Sequence, residues 1–263
     1  GGDDVKRISG GVTAAKGFKA YGVHCGLKKA KLDLAVVISE VPAAAAGVFT
    51  TNLVQAAPIK ITKEHLALGG TARAVVINSA NANACTGSQG ILDAKAMAGA
   101  VAEHLNCSPE EVLVSSTGVI GVPLPMDRIM AGITKLMPNL SREGSSRAAE
   151  AIMTTDTFPK EYAVEFELGG KTVRIGGMAK GSGMIHPNMA TMLAFITTDI
   201  RIEGSLLQQA LKEAAARSFN MISVDGDTST NDMVVILANG QAEAREIKDE
   251  GPDYELFCRA LNE

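Results

Sequence analysis

Apolar and polar positions follow two different periods along this chain. Residues 32–39 (LDLAVVIS), 74–78 (AVVIN) and 233–238 (MVVILA) are short, nearly unbroken apolar runs. That is the pattern of strands covered on both faces. Residues 191–198 (TMLAFITT) repeat it. Residues 91–105, 125–137, 145–153 and 204–219 instead space their apolar residues three and four apart, which predicts amphipathic helices. A further helix begins over 254–261. The clearest local signal is 162–175, where the alternating runs YAVEFEL and KTVRI flank Gly169-Gly170. This predicts a hairpin with a two-residue primed turn, because glycine accepts positive φ at both turn positions. A glycine-rich stretch follows over 176–190. Ser108-Pro109-Glu110-Glu111 has the cap, the first-turn proline and the third-position glutamate of a helix start. The extended, apolar residues 112–115 limit that helix to one turn. Hairpin signals mixed with helices argue against a pure doubly wound sheet and predict a layered, mixed α/β (α+β) sandwich. No repeat, low-complexity segment or linker divides the chain, so residues 1–263 read as one domain.

Composition narrows the picture. A chain of 263 residues can bury a sizeable core. With 4% aromatics and no Trp, that core must come from Ala, Val, Ile, Leu and Met. The net charge of -4 and the lack of a basic cluster beyond Lys28, Lys29 and Lys31 exclude a nucleic acid or a membrane surface as the expected partner. No apolar run approaches membrane-spanning length. The acidic start Gly1-Gly2-Asp3-Asp4 does not read as a targeting peptide. Cys25, Cys85, Cys107 and Cys258 lie far apart without metal spacing and read as reduced thiols of a cytoplasmic protein. His24, His65, His104 and His186 are equally scattered, which indicates neither a zinc site nor a histidine-based triad. Residues 225–232 (DGDTSTND) invite a calcium reading, but the glycine and the closing glutamate do not fall where a calcium loop needs them. A turn that supports a nearby site fits them better.

The candidate chemistry lies around Thr191. A pliable glycine segment leads through His186-Pro187 to Ala190, then Thr191, then an apolar strand. On residue types alone the plainer reading is a loop entering a strand, since Thr commonly begins strands. The chemical reading is that a threonine at a chain terminus carries its own base, the α-amine, whose unperturbed pKa is about 7.7–8.0. To expose that amine the hydroxyl must attack the preceding carbonyl, shift the acyl group from nitrogen to oxygen, and let water open the ester. Ala190 adds little bulk, and glycines let the loop bend.

Residues 178–193 (MAKGSGMIHPNMATML) resemble the self-cleavage site of the ornithine acetyltransferases, the glutamate N-acetyltransferases of arginine biosynthesis, known as the ArgJ family. Residues 10–18 (GGVTAAKGF), 78–87 (NSANANACTG), 115–121 (SSTGVIG), 153–160 (MTTDTFPK) and 223–233 (SVDGDTSTNDM) are similar to further motifs of that family, in the same order. Ala80 stands where the family's pattern has Gly. The resemblance implies an α-β-β-α sandwich of the DmpA/ArgJ type and self-cleavage between Ala190 and Thr191. Residues 1–190 then form an α-chain and 191–263 the start of a β-chain. It implies Thr191 as nucleophile, Thr117 and Gly118 as oxyanion hole, and Thr157, Lys180 and Thr191 as substrate contacts. The implied reaction moves acetyl from N2-acetyl-L-ornithine to L-glutamate with no metal or organic cofactor, and acetyl-CoA is an optional co-substrate. The partners are these small molecules and the two fragments, associated as a hetero-oligomer. The chain stops inside a helical pattern, short of the family's length, so the family's C-terminal region is expected to be absent. Two alternatives stay open: a self-processing N-terminal-nucleophile amidohydrolase or aminopeptidase, with water as acceptor, and an inactive ligand-binding fragment.

Overall fold

Strand β3 (Leu34–Phe49) is twice as long as the apolar run that announces it, and it is shared by two layers. The computed structural model describes residues 4–181, 191–218 and 229–262. β3 pairs with β2 (Phe18–Val23) up to Ser39 on one side and with β4 (Thr71–Asn78) up to Ala44 on the other, with a register shift against β4 between Ile38 and Ala43. From Ala44 onward β3 pairs with β9 (Met233–Ala238). Pro42 lies inside that shift, where the missing N–H of proline costs no ladder bond. This proline and the run of four alanines after it hide the second half of the strand from a propensity reading.

Nine strands form one sheet among the described residues. Its order is β1 (Lys6–Arg7), β6 (Lys160–Leu168), β7 (Lys171–Lys180), β8 (Leu193–Thr198), β9, β3, β4 and β5 (Val112–Ser116), with β2 on β3. Bent over at β3, the sheet presents two inner faces to one core. Ala35, Val37, Val75, Ile77 and Leu113 come from one layer, and Met178, Leu193, Phe195, Val235 and Leu237 from the other. Helices α1 (Ala57–Gly69), α2 (Gly87–Leu105) and α3 (Met126–Leu136) cover one outer face. Helices α5 (Gly204–Ser218) and α6 (Pro252–Leu261) cover the other. The order is α-β-β-α, the predicted sandwich. Successive residues of β8 therefore enter different cores: Leu193 and Phe195 face inward, Ala194 and Ile196 face α5 and α6. Burial on both faces is why such strands read as continuous apolar runs. The short α4 (Ser145–Ala151) packs its alanines into the inner core beneath β2.

Other expectations hold locally. Leu168 faces Lys171 across a two-residue turn in which Gly169 and Gly170 have φ of 56° and 80°. Residues Pro109–Glu111 form one 3-10 turn closed by a capping box from Ser108 and Glu111. The predicted helix over 204–219 is seen to Ser218, and Phe219 lies outside the described residues. Strand β7 departs from expectation. It continues to Lys180, into the stretch read as a glycine-rich loop. Gly176 is a strand residue because it pairs with Ala163 and Thr197, and it must be glycine because a Cβ there would sit 1.9 Å from the carbonyl oxygen of Gly11. Helix α1 and strand β2 had no predicted counterpart. Tertiary burial of Ile59 and Ile61, and pairing with β3, supply what local propensity does not.

The loop between β4 and α2 holds Ala80 at φ 85°, a conformation that costs a Cβ-bearing residue about 1–2 kcal/mol. Ala80→Gly should therefore stabilise the fold by about 0.5–1 kcal/mol, after the added freedom of the unfolded chain is subtracted. Gly176→Ala should destabilise it by at least about 2 kcal/mol, since the new methyl meets backbone rather than a movable side chain. Urea unfolding midpoints of the two variants, moving in opposite directions, check both.

Candidate active site

Strand pairing delivers the site. Lys180 ends β7 opposite Leu193 at the start of β8, and Leu193 in turn lies opposite Met233 at the start of the parallel strand β9. The residues just before those two strands, Thr191-Met192 and 229–232, are thus neighbours. In the other layer β4 and β5 run parallel and end together, with Asn78 opposite Ser116. The layers are tied at this end by Asn231, whose buried side-chain amide donates to the carbonyls of Ala82 (2.7 Å) and Ser116 (2.8 Å). Asn78 accepts a bond from the Ser116 hydroxyl (2.5 Å) and donates to the Asn81 carbonyl (2.8 Å).

Thr191 is half-buried, with its Oγ1 3.0 Å from Ser229 Oγ. Ser229 Oγ also accepts the N–H of Asn231 at 3.0 Å. Asp232 Oδ1 accepts the N–H of Met192 at 2.8 Å. The backbone of this loop is held by Thr50 at the end of β3. Its hydroxyl donates to the Ser229 carbonyl (2.6 Å), and its N–H donates to the Asp232 carbonyl (2.9 Å). Burial pushes the Asp232 carboxyl up to about 6, against the opposing pull of the Met192 N–H, the Ser229 hydroxyl and the charge of Lys180.

Lys180 is only 2% exposed. Its Nζ donates to Thr154 Oγ1 (2.5 Å) and to Thr117 Oγ1 (3.3 Å). Burial pulls its pKa down to about 8; Asp156 and Asp232 oppose this, while Lys28 and Lys160 add to it. Burial also pushes the Asp156 carboxyl up. The N–H groups of Gly181 (3.0 Å) and Thr154 (3.3 Å), Lys160 at 3.3 Å and the charge of Lys180 outweigh that and hold it below its ordinary value.

Thr117 is buried and follows β5 directly, and its N–H donates to the Asn78 carbonyl. Gly118 adopts φ 130°, and a Cβ there would fall 2.1 Å from the carbonyl carbon of Ala80. No other residue fits between β5 and the Asn-rich loop.

The fold thus gathers Thr191, Lys180, Thr117 and Gly118 at one end of the sandwich. Thr157 is exposed in the loop after α4, one residue beyond Asp156. It is Thr154, not Thr157, that touches Lys180. Ala190, the proposed cleavage partner, lies outside the described residues, as do His186 and 223–228 of the last motif. His24, His65 and His104 each bond a backbone carbonyl, of Lys31, Val112 and Ala100. Ser229, Asp232, Thr154 and Asp156 were not singled out from sequence. Their motifs were visible, but nothing local says which hydroxyl or carboxylate faces Thr191 or Lys180.

Comparison with known proteins identifies relatives of the chain. Over 257 residues, 97% of this chain, it is 58% identical to the arginine biosynthesis bifunctional protein ArgJ of Symbiobacterium thermophilum, and it spans 64% of that relative's length. A solved ornithine acetyltransferase from Mycobacterium tuberculosis, complexed with ornithine, is 44% identical, with a TM-score of 0.64. The match covers 70% of this chain and 98% of the solved one. A solved L-aminopeptidase D-Ala-esterase/amidase from Ochrobactrum anthropi, described as a variant of the Ntn hydrolase fold, is 12% identical with a TM-score of 0.57. It covers 96% of this chain and 84% of its own, and shares the fold alone. No helix among the described residues is long and apolar enough to cross a membrane. Residues 19–263 match the ArgJ family throughout, and the chain belongs to that family.

Proposed function

We propose that this chain cleaves itself between Ala190 and Thr191 and that Thr191 then carries acetyl from N2-acetyl-L-ornithine to L-glutamate. The observation that carries this reading is the position of Thr191. Its hydroxyl sits in a polar cluster at a strand start, in the same strand-end region as the buried Lys180–Thr117 contact and Gly118. The 44% identity to a solved ornithine acetyltransferase adds support.

Cleavage frees the Thr191 α-amine, which takes the hydroxyl proton as Oγ1 attacks the acetyl carbonyl. The Thr117 hydroxyl and the Gly118 N–H stabilise the oxyanion. The ornithine amine leaves with a proton, giving acetyl-Thr191. The amine of glutamate then attacks the ester, N-acetylglutamate departs, and the Thr191 hydroxyl is restored. Lys180 pairs with a substrate carboxylate, and Thr157 contributes from the exposed rim. All these groups belong to the chain, so the scheme calls on no metal or organic cofactor. Acetyl-CoA is a second acetyl donor in a bifunctional enzyme, the word used of the relatives. Segments 1–190 and 191–263 stay associated after the cut, within a hetero-oligomer.

Intact mass tests the cleavage step. The wild-type protein should give two fragments that sum to the whole plus one water, and Thr191→Ala one uncut chain that takes no label from an acetyl donor. A cut Thr191→Ala chain would overturn the scheme. Gly118→Ala should lower kcat for acetyl transfer by about 10²-fold or more by displacing the oxyanion donors, as single-turnover kinetics would read. Lys180 carries its charge below about pH 8, so the KM for glutamate should rise as pH climbs through that value. Lys180→Met should raise KM at neutral pH and remove the dependence.

A further inference from the structure

The proposed chemistry needs the Lys180 ammonium in one place, yet a lysine carries its charge on a long, freely rotating stem. We infer that Thr154 and Asp156 are positioning residues for Lys180: Asp156 pins the loop after α4 to the end of β7, and Thr154 on that loop holds the Lys180 ammonium beside Thr117. This rests on the reading of Lys180 as the partner of a substrate carboxylate.

The pin grips Gly181, the residue after Lys180, at both of its backbone polar groups. Its N–H donates to Asp156 Oδ2 at 3.0 Å, and its carbonyl accepts Lys160 Nζ at 3.0 Å. Lys160 also reaches Asp156 Oδ2 at 3.3 Å, which closes a ring of bonds through Gly181. The Asp156 side chain is only 3% exposed, so these bonds stand in for its water. Gly181 in turn lies against the nucleophile's backbone: its φ is 96°, and a Cβ there would fall 2.4 Å from the Thr191 carbonyl oxygen. The other oxygen of Asp156 accepts the N–H of Thr154 at 3.3 Å. A second anchor sits just before Thr154. Lys28 Nζ donates to the Met153 carbonyl at 2.6 Å and to the Leu32 carbonyl at 3.1 Å. Thr154 lies between the two anchors, and its Oγ1 accepts Lys180 Nζ at 2.5 Å.

The donors of Lys180 can then be counted. An ammonium has three N–H groups and no acceptor. One goes to Thr154 and one to Thr117, at 3.3 Å. The third is left for the substrate carboxylate. Because Thr117 accepts from Lys180, its own proton stays available for an oxyanion. Without the Thr154 hydroxyl the ammonium loses its shortest bond and is free to turn away from both. The charged groups acting on Lys180 among the described residues come from four places: Asp156 after α4, Asp232 before β9, Lys28 before β3 and Lys160 at the start of β6. The two carboxylates favour the ammonium, and the two lysines oppose it.

Two readouts on the full chain test the assignment, with folding of each variant checked by circular dichroism. In protein carrying carbon-13 at lysine Cε, the NMR signal of Lys180, assigned through its loss in Lys180→Met, should titrate near pH 8. Asp156→Asn should move that titration down by about one unit, because a carboxylate that favours the charged form is gone. Thr154→Val removes the hydroxyl at similar shape and should also move it down, and Thr154→Ser should return it. In acetyl transfer, Thr154→Val should raise the KM for glutamate about tenfold. It should add nothing in a Lys180→Met background, since it acts through Lys180. A merely structural loop would leave the titration in place and add its loss in that background, and either result overturns the positioning role. If Asp156→Asn does not fold, the two Thr154 variants decide. A wild-type chain that transfers no acetyl overturns the function proposed above, and the Lys180 titration still decides the positioning.

Discussion

Strand β3 pairs with β4 in one layer and with β9 in the other, and a single register shift between Ile38 and Ala43 lets it do both. The two layers are therefore one hydrogen-bonded sheet folded over, rather than two sheets pressed together. Two consequences follow. The inner core is closed along β3 by backbone bonds, and the ends of β5 and β9 are brought to face each other across it. At that junction the chain must bury polar loops, and a buried amide or carbonyl left unpaired costs about 1–3 kcal/mol. Asn231 meets the requirement by donating to one carbonyl after β4 and one at the end of β5. These two loop carbonyls are thereby paired, and the reactive cluster is built beside them.

Electrostatics divide this cluster by function. Lys180 lies under the charges of Asp156 and Asp232, but the two carboxylates differ in environment. Asp156 is surrounded by N–H groups and Lys160 and stays ionised, which makes it a fixed counter-charge for Lys180. Asp232 has fewer donors and is buried more expensively, so its proton affinity is raised toward the range useful to a base. One carboxylate is held charged, and the other has its proton affinity raised by burial. Position within the hydrogen-bond network, not residue type, makes the difference.

The sequence determined by itself most of the elements and the layer order. Runs buried on both faces, helical spacing and the Gly169-Gly170 turn are local consequences of period and of backbone freedom, and they need no partner to be read. Thr191, Thr117, Gly118 and Lys180 became candidates through the resemblance to a known family, since their local patterns alone read as ordinary turns and a strand start. The sequence could not show that β3 continues past Pro42, that β7 runs through Gly176, or that α1 and β2 form. In each case the deciding energy is a contact with a segment far away in the chain. Only the tertiary structure placed Thr154 rather than Thr157 on Lys180, Ser229 on Thr191, and Asp232 on the Met192 N–H. Hydroxyls and carboxylates are alike along a sequence. Strand register chooses among them, and register is a property of the whole sheet.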